Sequence, residues 1–428
     1  MKRWLVALLV LLAVIVLVSP GIVGRLAERN LEQGIEWAES ENPGVSIDTE
    51  TYSRGWFSSE GRHRVVLDGG QFRDAIDSEA IPSLIIDTRV EHGVLPIGSM
   101  KPGLASTVST FHVDPGNGQL IDLPGKLTSN VSFSGAADSH FAAEAGSYEL
   151  DGTTVAWQGA DMKFFVDRNG GKLAAHGTVA PWSITSEEGR IEIGSISLDA
   201  DQTITDYGFN VGPVKMSIGK ISGQDESAAF TIGGLEVEGD SSVDDGRVSG
   251  GGRMEIKTIE VPGFGDVDVL IDVAMNGFDA ESLGAIQKAA RDAQASDDPE
   301  VALQTLMLEI EDDLQRLVSA GGQFEIRQLD VTLPQGKVAT NLSIDVAESA
   351  ADAEFNWGTV LLNAKASLNV RVPAALYDMA SMMNPQAGAL VAMGFLVKDG
   401  EDYVMAAEYE QGLVNVNGAP MPLPIPGM

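Results

Sequence analysis

The chain has 428 residues, 44% of them hydrophobic, and no cysteine, which fits a globular protein with a sizeable core and excludes disulfides, thiol nucleophiles and thiolate metal sites. Its 62 acidic residues against 28 basic ones give a formal net charge of −34. Such a surface repels phosphate backbones and anionic headgroups, so nucleic acid is excluded as a partner.

Residues Trp4 to Val23 form one uncharged apolar run directly after Lys2 and Arg3. At about 1.5 Å of helical rise per residue, roughly 20 residues cross the hydrocarbon core of a bilayer. The basic pair favours the cytoplasmic side, which places the rest of the chain across the membrane. The exits Val18-Ser19-Pro20 and Ile22-Val23-Gly24 lack the small-residue pattern of a signal-peptidase site, so residues 1–23 read as an uncleaved signal-anchor transmembrane helix rather than a cleaved leader. Residues 24–44 read as a juxtamembrane helix with Leu26, Leu31 and Ile35 on one face, ended by Asn42-Pro43-Gly44.

The remainder, 45–428, reads as a β-rich domain. Arg190 to Leu198, Val214 to Ile221, Leu235 to Glu238, Arg253 to Ile259 and Val267 to Val273 alternate apolar with polar residues. Alternation sends successive side chains to opposite faces of a sheet, one apolar and one solvated. Glycine- and aspartate-rich stretches at Asp167 to Gly171, Asp244-Asp245-Gly246 and Gly250-Gly251-Gly252 read as the turns of a long antiparallel meander.

Helical insertions are predicted at about 279–320 and 373–396. The first is interrupted at Ser296 to Pro299 and resumes with Leu303, Leu306, Ile310, Leu314 and Leu317 as an apolar stripe, expected to cover the sheet. Strands follow at Gln323 to Leu329, through Val331 to Val346 and from Glu354 to Val372. The second insertion carries Met379, Met382, Met383 and Met393 with almost no charge; methionines at helical spacing read more readily as adaptable core than as a surface for apolar ligands or partners. A hairpin with a further turn closes the chain, and its proline-rich tail suits no strand interior.

The search for chemistry is largely negative. His63, His92, His112, His140 and His176 stand alone, with no zinc-helix spacing, and no nucleophile elbow or phosphate-binding loop is present. No catalytic residue, cofactor site or metal site is assigned, and an enzyme is not expected.

Three short motifs have a recognisable order. Tyr52-Ser53-Arg54-Gly55-Trp56-Phe57-Ser58-Ser59, Glu91-His92-Gly93-Val94-Leu95-Pro96 and Glu410-Gln411-Gly412-Leu413-Val414-Asn415-Val416-Asn417-Gly418 resemble the pattern of the YdgA-like family of bacterial envelope proteins of unknown function. Glu91 stands where an aspartate is commoner and Val94 where a proline is. The resemblance implies a single-pass inner-membrane protein with its body in the periplasm, and carries no catalytic residues. Tyr52, Arg54, Gly55, Phe57, His92, Gly93, Pro96, Gly412, Asn417 and Gly418 are the motif residues. Their expected role is structural: a strand bend at Arg54-Gly55, a tight turn at His92-Gly93 and a hairpin turn at Asn417-Gly418. A docking epitope is the rival role.

The fold expected is therefore α+β, mostly β: a transmembrane helix followed by a long, curved antiparallel sheet with two late helical segments on its apolar face. Two functions remain open. One is a binding or carrier module for lipid or another apolar envelope component, loosely resembling the AsmA-like envelope proteins; the other is a periplasmic scaffold that docks a protein partner. An open apolar groove would favour the first, and a core closed by side chains the second.

Overall fold

The computed structural model describes residues 45–54, 58–67, 83–92, 103–114, 116, 120–150, 152–225, 229–261, 265–294, 305–350 and 355–422. The expected anchor at 1–23 and juxtamembrane helix at 24–44 lie outside them. Among the described residues no helix is long and apolar enough to cross a membrane. The chain is mostly β-strand with few helices, its strands pair into antiparallel ladders, and it divides into two compact units.

The first unit holds Val45–Arg54 (β1), Ser58–Leu67 (β2), Ser83–His92 (β3), Ala105–Asp114 (β4), Ile121–Val131 (β5), Ala137–Ala143 (β6), Gly146–Leu150 (β7), Thr153–Trp157 (β8), Ala160–Val166 (β9), Lys172–Val179 (β10), Trp182–Ser186 (β11), Gly189–Ile193 (β12) and Ile196–Ile204 (β13). The alternating run Arg190 to Leu198, expected as one strand, is thus two strands, β12 and β13, parted at Gly194-Ser195.

Strands β1 to β6 pair in order, followed by β9, β10 and β13. The insertion β7–β8 pairs onward with β11 and β12. Alternation puts Leu84, Ile86, Phe111, Leu127, Phe141, Met162 and Phe164 on one face, where they form a buried cluster. The rings of Phe111 and Phe141 meet edge to face at 6.0 Å. Full burial of one such side chain contributes roughly 1.5–3 kcal/mol, which makes this cluster the main source of stability in the unit.

Chain order continues with Asn210–Val211 (β14), Val214–Ile218 (β15), Ile221–Asp225 (β16), Ala229–Asp244 (β17), Arg247–Val261 (β18), Gly265–Asp279 (β19), Gly322–Leu333 (β20), Gly336–Val346 (β21), Ala364–Pro373 (β22), Val397–Asp399 (β23), Asp402–Glu410 (β24), Leu413–Val416 (β25) and Ala419–Pro422 (β26). In the second unit β15 and β17 to β22 pair in order, then β24, β25 and β26. Its strands are long: β17 runs 16 residues and most of its side chains stay half-buried or exposed. Among the described residues of this unit a small core cluster forms from Phe209, Val248 and Ala280, with neighbours Val211, Val243, Met275 and Leu283.

Gly250 to Gly252 do not make the turn expected of them; they lie inside β18. A Cβ on Gly250 would stand 2.8 Å from the Asp240 carbonyl oxygen and one on Gly251 3.1 Å from that of Val273. The glycines let neighbouring strands approach closely, a use of glycine that composition does not separate from a turn.

Five helices interrupt the strands among the described residues: Ala280–Gln294 (α1), Glu311–Ser319 (α2), Trp357–Asn363 (α3), Ala374–Met383 (α4) and Pro385–Ala392 (α5), with a further helical stretch at 305–309. Helix α1 starts at Asp279, whose carboxylate accepts from the Ser282 backbone N–H at 2.9 Å. Helix α2 ends at Gly321, in the left-handed region at φ 75°. Arg247 donates to the Ala320 carbonyl at 2.7 Å, a cation at the helix C-terminus.

The apolar stripe expected to be core is only partly so. Helix α2 has no buried residue, Leu306, Ile310, Leu314 and Leu317 are half-buried, and Leu308 is 76% exposed. Helix α3 falls where strands were expected. Asn356 caps it by accepting from Gly358 N–H at 2.7 Å, and the apolar Val360-Leu361-Leu362 run continues into β22. Among the described residues strand β26, from the tail's start, pairs with β25 alone, the edge position that Pro420 and Pro422 tolerate.

Candidate functional site

Pro373 opens α4, since it presets a helical φ and lacks the N–H that the first turn leaves unused. Asn384 is extended, as the residue before a proline prefers, and so separates α4 from α5, which begins at Pro385. Gly394 at φ 77° ends α5.

The pair is held to the sheet by polar clips. Tyr377 is buried against the ring of Tyr403 on β24, centroids 4.2 Å apart, and its hydroxyl donates to the Ala387 carbonyl at 3.2 Å. Asn417 donates through Nδ2 to the carbonyls of Gly394 and Phe395 at 2.9 and 3.0 Å, and its Oδ1 accepts from the Ala406 N–H at 2.8 Å. One side chain thereby ties the end of α5 to β24 and β25. Tyr409 likewise donates to Leu361 of α3 at 2.7 Å.

The outer side of α4 and α5 is apolar and open to solvent. Met382 is 87% exposed, Met383 74% and Met393 60%, with Leu390, Val391 and Val397 also exposed. From Ala374 to Val397 the only charged residue is Asp378. This corrects the expectation that these methionines are core: Tyr377 and Leu396 supply the buried contacts, and only Met379 of the four is half-buried. A methionine-rich surface can repack against varied apolar partners.

The motif residues do not form one site. Tyr52 is half-buried on β1, and Arg54 ends β1 opposite Ser59; His92 ends β3 opposite Ala105. Since Ser59 pairs with Val90, both motifs meet at one end of the β1–β3 sheet. Gly55, Phe57, Gly93 and Pro96 lie outside the described residues. Gly412, Asn417 and Gly418 belong to the second unit. There Gln411-Gly412 (φ 53° and 80°) and Asn417-Gly418 (φ 51° and 84°) make two-residue hairpin turns with both residues left-handed, as does Asp245-Gly246.

The histidines gain partners that sequence spacing concealed. Buried His63 meets the Thr49 hydroxyl through Nδ1 at 3.1 Å, and burial lowers its pKa below the ordinary 6.5, against a smaller upward pull from Asp87. Arg62 grips Asp87 through two 2.7 Å hydrogen bonds, which hold that carboxyl below its usual pKa despite partial burial. His112 bridges Asp87 and Asp122 at 3.2 and 2.7 Å, and His140 meets Asp161 at 3.0 Å. Among the described residues one group has ligand-type atoms converging within 4.8 Å, His176 with Asp199 and Asp201. These partners sit on neighbouring strands, and the only local sign of them is an Asp-x-Asp spacing at 199–201.

A second feature of the second unit is an open hollow of about 540 Å³ floored by Gly239 and Gly250 to Gly252 and edged by Glu238, Asp240, Arg253, Asp272 and Arg327. Glycine, serine and charged residues line it, and no aromatic side chain is among them.

Residues 1–424 match the family described as "Bacterial protein of unknown function (DUF945)". The chain belongs to that family. No curated protein and no solved structure matches it. DUF945 membership agrees with the uncharacterised bacterial family that the motifs suggested, and the match extends over the apolar run Trp4 to Val23, both units and the C-terminal hairpins.

Proposed function

We propose that this DUF945 protein is a non-enzymatic binding module for lipid or another apolar envelope component, held in the bacterial inner membrane by residues 1–23 with its body in the periplasm. The observation that carries the reading is the exposure of Met382, Met383 and Met393 on α4 and α5, beside Leu390 and Val391, in a stretch with a single charge. Exposed apolar surface of this kind is unfavourable unless something covers it, and patches like it mark interaction sites. The polar clips from Tyr377 and Asn417 support it further, because they position the helices without using the outer side chains. The anchor rests on the charge-flanked apolar run Trp4 to Val23.

The test is mass spectrometry of lipid that co-purifies with the full-length protein, compared between wild type and the double variant Met382→Glu/Met393→Glu. Both side chains are solvent-exposed, so the variant should fold and lose the lipid. Equal lipid on both proteins, or none on the wild type, would reject the reading. The scaffold reading has one observation in its favour: the apolar face of the first unit is filled by its own side chains, Phe111, Phe141 and Phe164 among them. In vivo cross-linking from position 393 that captured one envelope protein and no lipid would select it.

A further inference from the structure

We propose that His176, Asp199 and Asp201 bind one divalent transition-metal ion, of the Zn²⁺ class, on the solvated face of the first unit. Strands β10 and β13 are antiparallel neighbours, and their register sets His176 directly opposite Asp199. Asp201, two residues further along β13, points to the same face. His176 Nδ1 lies 3.3 Å from Asp199 Oδ2, and Nε2 lies 3.4 Å from Asp201 Oδ1. One ligand atom from each residue lies within 4.8 Å of the other two.

This donor set has a preference. Zn²⁺ takes imidazole nitrogen and carboxylate oxygen at about 2.0–2.2 Å, and a small rotation of three partly exposed side chains closes the group to that size. The two carboxylates neutralise the ion, the imidazole favours it over Ca²⁺ and Mg²⁺, which prefer all-oxygen shells, and water completes the coordination. Lys163 is the cross-strand partner of both His176 and His140, so the carboxylates set the difference between the histidines. Asp87 beside His112 is committed to Arg62, and His140 meets one carboxylate only. Among the described residues neither Asp199 nor Asp201 has an ion pair with Lys or Arg; Lys163 pairs with His176 across β9, on the side away from β13. The strands fix the backbone of all three ligands, so little ordering remains to oppose binding.

A chain of net charge −34 attracts every cation, so the distinguishing property is dependence on His176 rather than binding itself. Untagged full-length protein in detergent is titrated with Zn²⁺ calorimetrically in a large excess of Mg²⁺, and bound metal is counted after gel filtration. The expected result is one Zn²⁺ equivalent that is lost in His176→Ala and weakened about tenfold or more in Asp199→Asn and in Asp201→Asn. His140→Ala should bind as wild type does. The same stoichiometry and affinity in His176→Ala, or Zn²⁺ fully displaced by Mg²⁺, would overturn the proposal and leave a diffuse acidic surface. If His176→Ala fails to fold, the Asp199→Asn/Asp201→Asn double variant decides, since these side chains are 74% and 63% exposed; unchanged Zn²⁺ binding there is equally fatal.

Discussion

Phe141 in the first unit and Val237 in the second each sit in a strand paired on both sides, yet Phe141 is buried and Val237 is not. Pairing satisfies the backbone equally in the two places, because ladder hydrogen bonds need only a neighbour in the sheet. Burial needs a second layer. In the first unit residues from β1 to β9 converge into one large cluster, whereas among the described residues of the second unit Phe209, Val248 and Ala280 form a small one and Val267, Ala274, Ala364 and Val416 are buried apart from it. Strand content therefore says little about where hydrophobic stabilisation resides. The second unit, less buried for its size, is also the one whose α4 and α5 leave methionine, leucine and valine in solvent.

The comparison breaks most directly at Phe141. Phe141→Ala should lower the unfolding free energy by about 3–5 kcal/mol, the range for a buried aromatic, while Val237→Ala should cost about 1 kcal/mol or less because little apolar area is at stake. Denaturant unfolding, with hydrogen exchange mapped by peptide, would read both. Equal effects would mean that the second unit has a core as tight as the first.

Asn417→Ala comes next. It removes two donated bonds and one accepted bond and places alanine at φ 51°, so a loss of about 1–3 kcal/mol is expected. Faster hydrogen exchange should be confined to residues 385–396 and 402–422. Unchanged exchange there would remove Asn417 from the support of α5. On α2, Ile310→Asp should cost only about 1 kcal/mol, since Ile310 is half-buried, and Glu311→Ala less still. A loss of several kcal/mol at Ile310 would show that α2 is core after all.

How much of this was legible in the sequence depended on the range of the signal. Turns such as Asp245-Gly246 and Asn417-Gly418 are written in two residues and were readable, as were the alternating runs within β17, β18 and β19. Gly250 to Gly252 misled because the same composition serves a turn and a close strand approach. Helix α3 hid because Val360-Leu361-Leu362 suits either period and only Asn356 marks a start. The methionines of α4 and α5 misled for another reason: helical spacing reports which side chains share a face, not whether anything covers it. The carboxylate partners of His112, His140 and His176 depend on strand register, which no local pattern records. The candidate surface was thus visible as a stretch, and its exposure was not.

The smallest expected effect at neutral pH is the one that separates the units by acidity. All five histidines fall in the first unit, and burial holds the His63 pKa below 6.5. A histidine kept neutral by the fold contributes stability that is complete above its unfolded pKa and is lost as pH falls from there toward its folded value, because only the unfolded chain takes up the proton. Asp87, also depressed, follows the same sign in a lower window, below about 3.8. Between pH 6.5 and 5 the first unit should therefore lose stability through His63. His63→Asn, which can keep a bond to Thr49 in place of Nδ1, should flatten that slope with little change at pH 7.5. Hydrogen exchange on β1 to β3, followed from pH 7.5 to 5 after correction for intrinsic rates, would read it. A wild-type slope that persists in His63→Asn would assign the acid response to other groups and dissolve this distinction between the units.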